Sequence, residues 1–422
     1  VTVIGLDDTD SREAGLCTTY VAAQVATALE ASGATVERRL LVRCNPAVEH
    51  KTRGNAALAV HTDADPHLAL SVLREELEPA RTDDPRTNPG GVVAACDPGA
   101  VPAAVATFSE RAVRAHLDRE TARTLAADAG FETVTAGNGR GLIGALAAVG
   151  AWRAFDEWTH EYISYRERER WGTERDVDRD SVFDAAAESY PTVWDTVDSV
   201  EERAVCVPRT PCPILHAVRG EDPEAVAAVA QRIEGESVAE RATFVTNQGT
   251  DAHLQSVDSP AAVASGRSYR LTADVTADPE TREGGHVFVE VGEDGAALPC
   301  VAFEPTKRFR DRVRGLRPGD RVTVCGEVTD GTLKLEKFAL RERVTTTEAT
   351  PDCPRCGRSM SSAGRDQGYR CRDCKTSADG PVTVPLDRDL DPGWYEVPPC
   401  ARRHVAKPLV RGGFDAATHP ER

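Results

Sequence analysis

Val1-Thr2-Val3-Ile4-Gly5-Leu6-Asp7-Asp8-Thr9-Asp10-Ser11 opens the chain, and its switch from apolar to acidic residues sets the reading of what surrounds it. Residues 1–6 are apolar enough for a buried strand, and small apolar residues recur at helical spacing over 19–32. Strand, acidic loop and helix in that order begin an α/β unit. Asp7, Asp8 and Asp10 repel one another when held on one turn, and a divalent cation relieves them; Mg2+ carrying nucleotide phosphates is the usual partner of such oxygen ligands. A solvated acidic turn is the plainer alternative. An aspartate-dependent phosphatase is the sharper one, because Asp8-Thr9-Asp10 resembles its paired aspartates, although Arg12 stands where that chemistry wants Thr or Val.

Working outward, Gly15-Leu16-Cys17-Thr18-Thr19-Tyr20 leads into the helix, so its hydroxyls and N–H groups suit phosphate; N-capping is the structural role open to Thr18. Strands are expected at 36–43 and 56–61 and a helix at 66–78. Between those strands Lys51-Thr52-Arg53-Gly54-Asn55 supplies two cations on a tight turn, a candidate phosphate clamp or an ordinary surface turn. Residues 110–129 read as one helix. Gly139-Arg140-Gly141-Leu142-Ile143-Gly144 has dinucleotide-site spacing but lacks a good preceding strand and a suitably placed acid. Close helix packing or a ligand-lining loop is expected instead.

Residues 201–257 read as a small α+β module with strands at 215–218 and 242–246 around a helix at 222–233. Alternating segments at 269–275, 286–291, 301–303, 321–328 and 332–339 suit a five-stranded OB-type barrel within 266–345. A Thr-rich linker at 344–350 then precedes Cys353-Pro354-Arg355-Cys356 and Cys371-Arg372-Asp373-Cys374. This C-x2-C-x14-C-x2-C spacing gathers four thiolates around a structural zinc ion. Arg365 lies between the pairs, as a phosphate contact or a solvated charge. A tail rich in Pro and Arg, 381–422, ends the chain.

The 422 residues call for several modules of roughly 50 to 200 residues each. A net charge of −17 speaks against nucleic acid at first reading. Yet nearly all the basic residues are Arg, and acids are spread along the chain, including near Asp83 and Glu293, a balance suited to a halophile. In concentrated salt local Arg clusters outweigh total charge. No apolar stretch approaches the roughly 18 residues of a membrane span, and nothing reads as a secretory signal. A cytoplasmic protein with reduced thiols outside the paired cysteines and no obligate protein partner is expected.

The acidic motif, Gly15 to Tyr20, Lys51 to Asn55, the glycine-rich stretch continuing to Gly150, Trp171-Gly172-Thr173-Glu174-Arg175, Pro211-Cys212-Pro213-Ile214-Leu215, Thr246-Asn247-Gln248-Gly249-Thr250-Asp251-Ala252-His253-Leu254, the cysteine pairs and Ala401-Arg402-Arg403-His404-Val405-Ala406-Lys407-Pro408-Leu409 occur in an order that resembles the tRNA 2-agmatinylcytidine synthetase family of archaea, nearly end to end. The resemblance implies an unusual α/β kinase-like catalytic domain (1–200), a ferredoxin-like domain that includes 201–257, an OB fold (266–345), a zinc ribbon (350–380) and the tail. It implies ATP-driven attachment of agmatine to C2 of the wobble cytidine of the AUA-decoding isoleucine tRNA, through a phosphorylated cytidine, with ATP, Mg2+ and Zn2+ as cofactors.

It further implies catalytic roles for Asp7, Asp8, Asp10 and an autophosphorylated Thr18, with Thr19 its competitor, and ATP binding by Lys51, Arg53 and Asn55. Contacts to the tRNA anticodon loop and body are expected from Asn247, Gln248, Thr250, Asp251, His253, Arg365, Arg402, Arg403 and Lys407. Asp156, Asp178 and Asp195 are candidates to meet the agmatine guanidinium. A noncatalytic nucleic-acid-binding protein built on the barrel and ribbon is the remaining alternative.

Overall fold

The computed structural model describes residues 1–11, 16–49, 51, 54–80 and 84–422. Its first sheet runs through β1 (Thr2–Asp7), β2 (Val36–Arg43), β3 (Ala56–Thr62), β4 (Gly90–Ala94) and β5 (Glu132–Thr135), in spatial order β5-β4-β1-β3-β2, each neighbour antiparallel. Period-2 alternation decides what covers each face. Ile4, Leu6, Leu58 and Val60 pack under α1 (Thr18–Ala31) and α2 (Pro66–Leu77). Val3, Ala57, Ala59 and Val92 pack under α3 (Ala103–Arg114) and α5 (Leu142–Ala154).

The helix expected over 110–129 is two, α3 and α4 (Arg119–Asp128). Asp118 breaks it by accepting the Thr121 N–H at 2.8 Å and capping the second helix.

The sheet continues with β6 (Thr159–Arg166), β7 (Val193–Trp194), β10 (Ile214–Gly220) and β11 (Val238–Thr246), in order β11-β6-β10-β7; a small hairpin, β8 (Val197–Asp198) with β9 (Arg203–Ala204), precedes β10. With α6 (Arg179–Ser189) after β6 and α7 (Pro223–Arg232) after β10, this is a βαββαβ unit whose core joins Tyr162, Val182, Val218 and Val226. The ferredoxin-like pattern therefore starts at Thr159, ahead of residue 201. The two units merge where β11 pairs in parallel with β2, Val245 opposite Leu40 and Thr246 opposite Leu41.

A short β12 (Leu254–Ser256) leads to β13 (Arg267–Val275), β14 (Glu280–Thr281), β15 (Val287–Glu293), β16 (Ala296–Ala302), β17 (Arg321–Thr329) and β18 (Thr332–Glu342). The pairings β13–β15, β15–β16, β16–β18, β18–β17 and β17–β13 close a five-stranded barrel, with α8 (Phe309–Arg314) between its third and fourth strands. The third strand starts ahead of the 301–303 expected for it and overlaps that segment, pairing with β15 from Ala296 to Ala302.

The segment expected to be a linker contains β19 (Thr346–Ala349). The ribbon follows with β20 (Ser361–Ser362), β21 (Tyr369–Arg370) and β22 (Ser377–Ala378), and β23 (Val382–Pro385) returns to pair with β19. The tail is packed structure. Its β24 (Gly393–Glu396) joins β18, β25 (Thr418–His419) joins β24, and Trp394 and Leu409 are buried. Among the described residues no helix is long and apolar enough to cross a membrane.

Candidate active site

A cavity of about 700 Å³ opens where β1 ends, between the first unit and the ferredoxin-like unit. Glycines bring its wall together. A Cβ on Gly5 would lie 2.1 Å from the Ala145 carbonyl oxygen, and one on Gly144 only 1.9 Å from Asp7 Oδ2. The glycine-rich stretch thus presses the start of α5 against the acidic turn, which is the close-packing role expected of it.

Asp8 takes φ of 58°, in the left-handed region that Asp tolerates better than most residues, and turns the chain sharply after β1. Its Oδ2 accepts from Arg140 Nε at 2.9 Å, and Arg140 also donates to the Arg86 carbonyl at 2.8 Å. Burial raises the Asp7 carboxyl well above its ordinary range, and neighbouring Asp8 adds to the rise. Burial pushes Asp8 up to about 7 even though Arg140 pulls it down.

Asp10 Oδ1 accepts from the Thr18 N–H at 2.7 Å and from the Thr18 hydroxyl at 3.1 Å. Asp10, not Thr18, therefore caps α1, and the Thr18 hydroxyl is held at the cavity by a carboxylate. Thr19 Oγ1 turns instead to Cys17 Sγ at 3.2 Å, although it too borders the cavity.

Asp7 and Asp8, both half-buried, offer two hard oxygen donors at the cavity, a donor type that fits a divalent cation such as magnesium, with Arg140 bonded to Asp8 beside them. Asp10 is already engaged by Thr18, and the three carboxylates do not converge on one point. Among the described residues the only set of metal-ligand atoms that converges is that of Cys353, Cys356, Cys371 and Cys374, all within 4.8 Å of one another. That donor set fits a closed tetrahedral zinc site.

Lys51 and Asn55 border the cavity, Lys51 donating to the Pro46 carbonyl and Asn55 Nδ2 to the Asn45 carbonyl at 2.8 Å. Arg53 lies outside the described residues, as do Arg12, Gly15 and Asp83.

Several residues expected to touch RNA are spent on internal bonds. Asn247 and Gln248 are fully buried. Asn247 clamps the Arg43 backbone, with Oδ1 accepting at 2.7 Å and Nδ2 donating at 3.1 Å. Gln248 Nε2 donates to Glu161 Oε2 at 2.6 Å, and its Oε1 accepts from Arg43 Nε at 3.2 Å.

Asp251 accepts from Lys337 Nζ at 2.8 Å and from the Lys407 N–H at 2.7 Å; Thr250 donates to the Asn247 carbonyl at 2.7 Å. His253 Nε2 meets Glu336 Oε2 at 2.9 Å. Arg402 is sealed between Asp195 and Glu396 with its side chain 2% exposed. Asp251 and Arg402 brace the strap of 401–409 against the barrel and the ferredoxin-like unit, while Asn247 and Gln248 tie the end of β11 to β2 and β6.

Arg403, 30% exposed and paired with Glu327 and Glu336, Lys407 beside Glu157, and the exposed Arg365 remain at the surface. Asp156, Asp178 and Asp195 do not border the cavity: Asp178 caps α6 and Asp195 holds Arg402. Beyond the acidic turn the cavity is also lined by Glu161, and neither it nor its neighbours Arg43, Arg219 and His404 were singled out from the residues themselves. Only the resemblance of 401–409 pointed toward His404.

Fold and cavity define a class: an α/β unit with a half-buried carboxylate pair and a helix N-terminus at one cavity, coupled to an OB barrel and a cysteine ribbon. Family models describing a TiaS TCKD domain, a TiaS FLD domain and a TiaS C-terminal zinc ribbon domain match residues 3–65, 139–253 and 350–390. An isoleucine tRNA 2-agmatinylcytidine synthetase TiaS from Haloquadratum walsbyi is 51% identical, covering 100% of each chain. A solved complex of TiaS with its isoleucine tRNA and ATP is 41% identical with a TM-score of 0.90, covering 100% of this chain and 99% of that one. A solved complex of TiaS with the same tRNA, AMPCPP and agmatine is 39% identical with a TM-score of 0.87 and the same coverage. The chain belongs to the TiaS family, the isoleucine tRNA 2-agmatinylcytidine synthetases.

Proposed function

We propose that this protein uses ATP to join agmatine to C2 of the wobble cytidine of the AUA-decoding isoleucine tRNA, changing its decoding from AUG to AUA. The full-length likeness to structures holding that tRNA, ATP and agmatine carries the reading, and the cavity where Asp7, Asp8 and Thr18 meet supports it. An amide-like oxygen is a poor leaving group. Phosphorylating the C2 oxygen makes it a good one; the agmatine amine then forms the C2–N bond, the C2–O bond breaks, phosphate departs with the oxygen, and the amine gives up a proton. ATP ends as AMP and two phosphates: one leaves with the C2 oxygen, and a water molecule cleaves off the other.

Asp7 and Asp8 would hold Mg2+, which when bound offsets phosphate charge. Asp10 aligns the Thr18 hydroxyl, the proposed site of autophosphorylation, and Lys51 and Asn55 stand on the side where the nucleotide phosphates would lie. The barrel, the ribbon with Arg365, and surface residues Arg403 and Lys407 would hold the tRNA, leaving the wobble base free to leave its stack. This work belongs in the cytoplasm, with ATP and tRNA.

The test is incubation with ATP, Mg2+, labelled agmatine and a CAU-anticodon isoleucine tRNA transcript in high salt, beside Asp8→Ala. Label on the RNA with the parent alone is expected. Phosphate trapped on Asp8 without RNA would favour the phosphatase, and tRNA binding without labelling would favour a noncatalytic binder.

A further inference from the structure

The cavity is electrically divided. The acidic turn and the start of α1 form one side, and Arg43, Arg203, Arg209 and Arg219 border the other. Among the described cavity residues, Glu161 is the carboxylate that forms ion pairs with those arginines. It lies 3.9 Å from Arg43 and 3.8 Å from Arg219 while accepting from Gln248. Four guanidinium groups against one carboxylate leave a local surplus of positive charge in a chain of net charge −17.

Two of the four arginines are built in rather than draped on the surface. The Arg43 and Arg219 side chains are 12% and 6% exposed. Gly54 makes room for the first, since a Cβ there would lie 2.4 Å from Arg43 Nη1. Arg219 Nη1 donates to His404 Nδ1 at 2.9 Å, which fixes that imidazole as a neutral acceptor, so Glu161, shared with Arg43, is the counter-charge it has. Arg203 Nε is buried with no hydrogen-bond partner. Buried cations of this kind need an anion, and the forked guanidinium matches phosphate oxygens.

Arg203, Arg209 and Arg219 come from the ferredoxin-like unit, whereas the acidic turn comes from the first unit. We propose that Arg43, Arg203, Arg209 and Arg219 form a phosphodiester-binding wall that grips the RNA backbone beside the extruded target base. This rests on the tRNA-modifying function proposed above. Such contacts carry no sequence information; they fix the register of the strand so that one nucleotide reaches the acidic side.

The experiment measures equilibrium binding of the labelled CAU-anticodon transcript to the full chain and to Arg43→Gln, Arg203→Gln and Arg209→Gln across a KCl series, with ATP affinity measured in parallel. Each substitution is expected to weaken tRNA binding about tenfold. It should also reduce the slope of log K against log salt by about 0.7 per lost single-strand contact, with ATP affinity unchanged. Arg209 is exposed on a loop, so its variant keeps the test valid even where a buried substitution unfolds the chain. Weakened ATP binding with intact tRNA binding overturns the proposal and assigns the wall to nucleotide phosphates; unchanged binding of both also overturns it. A parent protein that fails to bind the transcript overturns the proposed function and the wall together, whereas parent binding with unaltered variants refutes the wall alone.

Discussion

Gly144→Ala adds one methyl group at the point where α5 meets the acidic turn. The new Cβ would sit 1.9 Å from Asp7 Oδ2, 2.6 Å from its Cγ and 2.9 Å from its Cβ. Because the Asp7 Cβ itself is too close, rotating the carboxylate away does not relieve the clash; either the end of β1 or the start of α5 has to move. Alanine in a helix interior gains up to about 1 kcal/mol over glycine, while overpacking costs about 1–3 kcal/mol. With the full helix gain, the net destabilisation is modest, about 0–2 kcal/mol, and the chain should remain folded. Catalysis is less forgiving, because a displacement of about 1 Å at reacting groups can cost about a hundredfold in rate. The assay is agmatine incorporation into the tRNA beside thermal unfolding, with Gly380→Ala as control because nothing lies within 4 Å of a Cβ there. Activity within about twofold of the parent in a folded Gly144→Ala protein would refute the claim that this contact positions Asp7.

Arg402→Ala removes the partner of Asp195 and Glu396 and should cost about 3–5 kcal/mol of stability; urea unfolding reads this, and in the protein that remains folded the salt slope of tRNA binding should stay at the parent value. Burial holds His61 at about 3 and His216 at about 4, below the ordinary imidazole value. The unfolded chain therefore takes up more protons as pH falls from about 6.5. Stability should drop over that window by up to about 2 kcal/mol per histidine by about pH 5, and His216→Gln should flatten the drop measured by urea titration at several pH values. Cys356→Ser should remove the bound zinc, measured by metal analysis, and expose residues 350–385 to protease while the barrel keeps its cooperative unfolding; retained stoichiometric zinc would sink the four-cysteine assignment.

What could be read from the sequence was local. The cysteine spacing, the strand ending at Asp7 and the helix opening at Thr18 each depend on short stretches of chain, and the structure places them as expected. β6 escaped notice because it carries His160, Glu161 and Arg166 among its apolar residues. Glu161 and Arg166 are buried there only because Gln248 and Glu236, at least 70 residues away, complete their bonding. The same distance hid the role of Asn247, whose side chain closes on a backbone 204 positions upstream. A polar motif at a strand end carries no local sign of the distant partners its side chains will meet. The basic wall was invisible for the related reason that β2, β9, β10 and a loop contribute one arginine each.

The most direct test is the identity of the nucleoside at the wobble position. The CAU-anticodon transcript would be treated with protein, ATP, Mg2+ and agmatine, digested to nucleosides and analysed by mass spectrometry. The expected product is cytidine carrying agmatine at C2 in place of oxygen, at that position alone, and none with Asp8→Ala. Unmodified cytidine from an active, tRNA-bound preparation, or agmatine at a different nucleotide, would contradict the proposed function.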